Sequence, residues 1–119
     1  MQDKIAVLYW LHLKEHTDVF TQGYVGVTSR LIDIRFKEHC RKFYNSYNPY
    51  NALHLAFAQY GIENIAITRL CACEEKQAYE LEKIFRPFES MGWNTAEGGK
   101  FSPQARQFIT RNKNAILSR

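Results

Sequence analysis

The chain has 119 residues, 45% of them apolar and 14% aromatic, with a formal net charge of +4 and a pI of about 9.0. That length suits one domain able to bury a core without staples, and the ordinary apolar content, without a low-complexity tract or long charge run, excludes a disordered chain. The three cysteines, Cys40, Cys71 and Cys73, make no disulfide framework, and no stretch approaches the ~20 apolar residues of a membrane span. The opening MQDKIAVLYW also lacks an apolar leader with a cleavage site, so the expectation is a soluble cytoplasmic protein with no membrane partner. Its positive surplus is compatible with a polyanion but does not demand one.

In chain order, Lys4 to Leu13 is apolar and aromatic and reads as a buried strand, and polar residues 14–22 read as a turn. Gly23 to Val27 reads as a second strand, forming an antiparallel hairpin with the first. Thr28 or Ser29 suits the cap of a helix running to about Phe43, with Leu31, Ile32, Phe36, Cys40 and Phe43 as its apolar set. The loop YNSYNPYN follows, broken by Pro49. A second helix starts near Asn51, continues through Tyr60 and is closed by Gly61.

Asn64 to Ala72 reads as a third strand. CEEKQAYELEKIFRPFES reads as a third helix ending near Phe85 ahead of Pro87, with Tyr79, Leu81, Ile84 and Phe85 as its apolar groups. A glycine-rich loop, MGWNTAEGGKF, leads to a last short helix over about residues 103–117, with Pro103 at its first position. The expected fold is therefore an α/β (α+β) domain: a small, mostly antiparallel three-stranded sheet flanked by helices, in the order β-β-α-α-β-α plus a C-terminal helix. Residues 1–100 form the domain and 101–119 a basic helical segment, joined near the Gly98–Gly99 pair.

The stretch GYVGVTSRLIDIRFKEH gathers unusual chemistry. Arg35 and His39 lie four apart and share one helical face. The helix follows the strand that holds Tyr24, and antiparallel pairing can bring Tyr9 beside Tyr24. Glu82 falls in the third helix, and Asn94 lies twelve residues on in the glycine-rich loop. Each residue has a plainer reading: strand aromatics, a solvated helix face, an exposed glutamate, a turn asparagine. Cys71 and Cys73 alternate along a strand, and with His39 and Cys40 they invite a zinc reading. C-x-C without a second pair is poor evidence for zinc, so the cysteines read as small core residues.

Taken together, the order of these residues resembles the GIY-YIG nuclease family, over about residues 5 to 100. Tyr9 in VLYW stands for the tyrosine of the first motif, although Val7 and Leu8 replace its glycine and isoleucine. YVG at Tyr24–Gly26 is the second motif nearly intact, RFKEH supplies Arg35 and His39, ELEKIFRPF supplies Glu82, with Glu80 as its rival, and GWN supplies Asn94. The resemblance implies a Mg²⁺- or Mn²⁺-dependent endonuclease that cleaves DNA to 5′-phosphate and 3′-hydroxyl ends, of a phage-encoded, homing-like type. Glu82 would hold the metal and Arg35 would fork onto phosphate oxygens. Either tyrosine would be the general base, His39 would orient or relay its proton, and Asn94 would hold the loop or touch substrate.

The alternatives are a structure-selective repair or recombination nuclease, or a non-catalytic DNA-binding module on the same fold. One active site per domain needs two binding events or a dimer on DNA for a double-strand break. From Lys100 to Arg119 the tail has five basic residues and no acidic one, and it is similar to DNA-contacting helical motifs appended to some enzymes of this family. Expected nucleic-acid contacts are Arg30 and Lys42 beside the helical pair, and Lys100, Arg106, Arg111 and Lys113 in the tail. A docked amphipathic helix is the other reading of that segment.

Overall fold

The computed structural model describes residues 4–99. The expected tail helix, with Lys100, Arg106, Arg111 and Lys113, lies outside the described residues. Three strands, β1 (Ile5–Leu13), β2 (Tyr24–Thr28) and β3 (Ile65–Glu74), form one sheet in the order β2-β1-β3, with both pairings antiparallel. Helices α1 (Ile32–Asn45) and α2 (Ala52–Tyr60) connect β2 to β3 through a single 3₁₀ turn at Ile62–Asn64, and α3 (Glu75–Phe85) follows β3 and packs across all three strands. The order β-β-α-α-β-α agrees with the sequence reading. Among the described residues, no helix is long and apolar enough to cross a membrane.

β1 takes the centre because it is apolar on both faces. Side chains alternate along a strand. Ala6 and Leu8 are buried on one side, while Tyr9 and Leu11 are buried on the other. Tyr9 and Leu11 join Leu53 and Phe57 of α2 and Ile65 of β3 in the main core, and Ile32, Phe36 and Phe43 of α1 pack against it. Phe57 is the hub: the rings of Phe36 and Phe43 meet it edge-on, at 6.4 Å and 5.5 Å. The pairing of β1 with β3 shifts between Leu8, opposite Cys71, and Tyr9, opposite Arg69, so Leu70 is the extra residue of a β-bulge beside Tyr9.

Several boundaries differ from expectation. α1 begins after Leu31, without a side-chain cap, because the Thr28 hydroxyl accepts from the Arg30 N–H and closes a separate turn first. Leu31 therefore sits outside the helix and is exposed, and α1 runs two residues past Phe43. Cys73 and Glu74 belong to β3, since Ala6 and Ile5 of the long central strand are there to pair with them; α3 starts at Glu75. Ala78 is the fully buried residue of α3, and Ile84 faces outward. The second helix behaves as expected: the Asn51 side chain accepts from the Leu53 and His54 N–H groups, and Gly61 ends it at φ +84°.

The Gly98–Gly99 pair is not a free joint. The Gly98 N–H donates to the Arg86 carbonyl at 2.6 Å, and a Cβ at Gly98 would collide with the backbone of α3 at Glu82. The three cysteines are free and half-buried rather than core residues.

Candidate active site

Register brings the two tyrosines together. Tyr9 pairs with Gly26 and Leu11 with Tyr24, so Tyr9 and Tyr24 are diagonal neighbours on one face of the sheet, with ring centroids 6.2 Å apart. Gly26 lies directly opposite Tyr9 and leaves the room that both rings occupy. A Cβ there would stand 2.5 Å from the Tyr9 hydroxyl oxygen and 2.8 Å from Cε1 of Tyr24.

α1 then lays its polar face over the pair. His39 Nε2 is 2.7 Å from the Tyr9 hydroxyl, and Arg35 Nε donates to the same oxygen at 3.2 Å. The Tyr24 ring meets the His39 ring edge-on, with centroids 5.3 Å apart. The four side chains expected to meet therefore do meet. Tyr9 is fully buried and His39 nearly so. Tyr24, Arg35 and His39 line a cleft of ≈ 240 Å³ that also takes in Lys42, His54 and Asn94.

The charge states follow from burial. Burial pushes the Tyr9 phenol up, neighbouring Tyr24 adds to this, and Arg35 opposes it. Tyr24 is likewise raised, first by burial; Arg35 pulls it down and Glu82 pushes it up, so Glu82 is near enough for its charge to be felt at this hydroxyl. His39 is pushed down to about 3 by burial, helped by Arg35, Lys42 and His54. The resting site thus holds two neutral phenols, a neutral imidazole and one fixed cation. Burial disfavours the charge on Arg35, but the phenols and Glu38 outweigh it and raise its pKa.

Glu82 is the carboxylate whose charge reaches this group, at Tyr24. One of its oxygens accepts from the Gly99 N–H at 2.7 Å, and it has no ion pair among the described residues. Burial raises its pKa and the Gly99 bond partly offsets the rise. Glu80, two residues away on the far side of α3, is exposed. Among the described residues no group of three His, Cys, Asp or Glu side chains converges, which leaves no all-protein cage for zinc or another metal. A single half-buried carboxylate whose charge is felt at a cleft-lining phenol does fit a hydrated, hard divalent ion such as Mg²⁺, which keeps most of its waters.

Comparison with protein-family models, curated proteins and solved structures gives no match. The functional reading therefore stands on the arrangement of these side chains.

Asn94 holds rather than reacts. Its Oδ1 accepts from the Val25 N–H and its Nδ2 donates to the Val25 carbonyl, each at 2.9 Å, so the side chain locks the glycine-rich loop to β2. Behind it is a residue absent from the sequence reading, Arg86. This guanidinium is fully buried and donates to Asn94 Oδ1 and to the carbonyls of Val19, Phe20, Gln22, Gly23 and Phe85. Its signal in the sequence was a lone charge inside the apolar run Phe85-Arg86-Pro87-Phe88. Arg30, by contrast, is exposed and pairs with Glu38, as Arg35 does, at 3.8 and 3.9 Å. Glu38 was also missed; one of its oxygens, Oε1, is buried without a partner.

Proposed function

We propose that this chain is a metal-dependent endonuclease of the GIY-YIG type, which hydrolyses phosphodiester bonds in DNA. The observation that carries the reading is the Tyr9 hydroxyl held between Arg35 Nε and His39 Nε2, beside the cleft-lining phenol of Tyr24. A core that needed only packing would not converge a guanidinium and an imidazole on one phenol at 2.7–3.2 Å, with a second phenol ring 6.2 Å away between centroids.

In this reading Tyr24 is the general base, because it lines the cleft whereas Tyr9 is enclosed. The Tyr24 phenol first releases its proton to solvent; attack of a water oxygen on phosphorus then transfers the water proton to the Tyr24 phenolate, and the bond from phosphorus to the 3′-oxygen breaks. The products are a 5′-phosphate and a 3′-hydroxyl, whose oxygen takes a proton from solvent. Tyr9 donates its hydroxyl proton to the Tyr24 phenolate, and His39, as the Nε2–H tautomer, donates to Tyr9 in turn. Arg35 neutralises the phenolate and offers its remaining N–H groups to the phosphate. Glu82 would hold a divalent cation, which would supply Lewis-acid stabilisation of the leaving oxygen and positive charge that favours the phenolate. Lys42, on the cleft wall, attracts the polyanion.

A plasmid-nicking assay with and without Mg²⁺ tests this. Wild-type protein is expected to convert supercoiled to open-circular plasmid only with the metal. Glu82→Gln keeps the shape of the side chain and should slow cleavage by about 100-fold or more, since metal stabilisation is worth several kcal/mol. Absence of Mg²⁺-dependent nicking by the wild type, or an undiminished rate in Glu82→Gln, would refute the proposal.

A further inference from the structure

We infer that the last turn of α1 and the loop between α1 and α2 form a stacking platform for unpaired nucleotides that lie beside the scissile phosphate. The inference rests on the nuclease reading for its place next to a phosphate, and on the loop itself for its chemistry. In Tyr44-Asn-Ser-Tyr47-Asn-Pro-Tyr50 three tyrosines recur every third residue, and they are 73%, 48% and 88% exposed. Large aromatic rings left in water this close together contribute little to the core and present flat apolar faces to a ligand.

The loop is held in place rather than loose. The Asn48 N–H donates to His54 Nδ1 at 3.0 Å, the Tyr50 N–H to Asn48 Oδ1 at 2.9 Å, and the Ala52 N–H to Thr95 Oγ1 at 2.9 Å. The rings also connect to the site. His54 forms part of the wall of the tyrosine cleft, and the Tyr47 ring stacks on it with centroids 6.2 Å apart and planes 19° from parallel. A second groove, ≈ 330 Å³, runs along α1 between Arg35, Glu38, Arg41, Lys42, Asn45 and Ser46. Arg35 and Lys42 border both hollows, so a basic track leads from the catalytic phenol toward the exposed rings. The one acid on that track, Glu38, is already shared between Arg30 and Arg35.

A cationic track flanked by open aromatic faces suits a single-stranded nucleic acid: cations follow the backbone, and every base has a π-face to stack. A duplex keeps its bases stacked inside and cannot use the rings. The structure thus points to a substrate with unpaired nucleotides next to the cleavage point, such as a flap or a fork.

The test is fluorescence-anisotropy binding of full-length Glu82→Gln protein to three labelled DNAs: blunt duplex, flapped duplex and single strand. Tyr44→Ala and Tyr50→Ala are compared with their Phe counterparts. Each alanine change is expected to weaken flap and single-strand binding by about 5- to 150-fold, in line with the loss of one base stack. Duplex binding should stay unchanged, and phenylalanine should restore affinity. Equal losses on all three DNAs, no loss on any, or a change only in self-association by sedimentation would overturn the platform. Preferential flap binding without Mg²⁺-dependent cleavage by the wild type would leave the platform standing and sink the nuclease reading; cleavage with no preference for unpaired DNA would do the reverse.

Discussion

Replacing Arg86 with lysine keeps the charge and most of the volume but is expected to unfold the domain at a much lower temperature. The guanidinium has five N–H donors, and six acceptors take them up: five carbonyls, from Val19, Phe20, Gln22, Gly23 and Phe85, and Asn94 Oδ1. An ammonium has three donors and satisfies at most three of these acceptors. At about 1.5–3 kcal/mol for each charge-assisted bond, the loss of three comes to roughly 4–9 kcal/mol. The site is sealed, since Arg86 is 0% exposed, so water cannot replace the missing donors. Domains of this size are stable by about 5–15 kcal/mol, and each 1 kcal/mol moves Tm by about 4–8 °C. A fall of at least about 15 °C in Tm is therefore expected from circular dichroism of the full chain. Arg86→Met, which removes the charge as well as the donors, should be at least as damaging in the same melt, because it satisfies none of the six acceptors. A lysine variant within about 5 °C of wild type would show that the buried fork is not what binds residues 19–23 to α3.

Two further outcomes follow from the tyrosine pair and its imidazole. Gly26→Ala inserts a methyl group against both rings; overpacking of this kind costs about 1–3 kcal/mol, and displacement of Tyr9 and Tyr24 should reduce nicking more than it reduces Tm. Normal nicking by this variant would mean that the ring geometry is not needed. His39, pushed down to about 3 when folded, binds a proton more readily in the unfolded chain, so its contribution to stability is present above its ordinary value and drains away as pH falls toward 3. Between pH 7 and pH 5 the wild type should lose about 2 kcal/mol more than His39→Gln in urea titrations. Because His16 and His54 are shifted the same way, the comparison with the variant isolates His39. Parallel pH profiles for the two proteins would contradict its buried, neutral state.

The order of strands and helices was readable because hydrophobic period and punctuation agree along most of the chain. Asn51 and Gly61 bracket α2 by their own local chemistry, and a four-residue spacing is enough to put Arg35 and His39 on one face. The pairing of Tyr9 with Tyr24 was legible as a possibility of the hairpin, but its exact register depends on Gly26, whose role appears only once the ring positions are known. Signals that depend on distant partners were hidden. Cys73 and Glu74 look like the start of a helix until the length of β1 is seen to extend β3 to meet them. The bulge at Leu70 has no mark in composition. Arg86 carries no local mark of its role, because four of its six acceptors, the carbonyls of Val19, Phe20, Gln22 and Gly23, lie more than 60 residues upstream. Glu38, which the sequence reading did not single out, sits between Arg30 and Arg35.

The side chain of Asn94 has a consequence beyond the loop it anchors. β2 is an outer strand, and the backbone groups along its free side could recruit a strand from another molecule. Asn94 occupies both polar groups of Val25, and the Trp93 N–H and Arg86 take the carbonyl of Gly23. One amide and one backbone turn thus imitate a fourth strand two residues long, and they shut that stretch of the sheet edge to intermolecular pairing beside the tyrosine pair. Removing that amide would do more than loosen a loop: it would uncover an unpaired strand margin beside Tyr9 and Tyr24, and the protein would become prone to associate through β2.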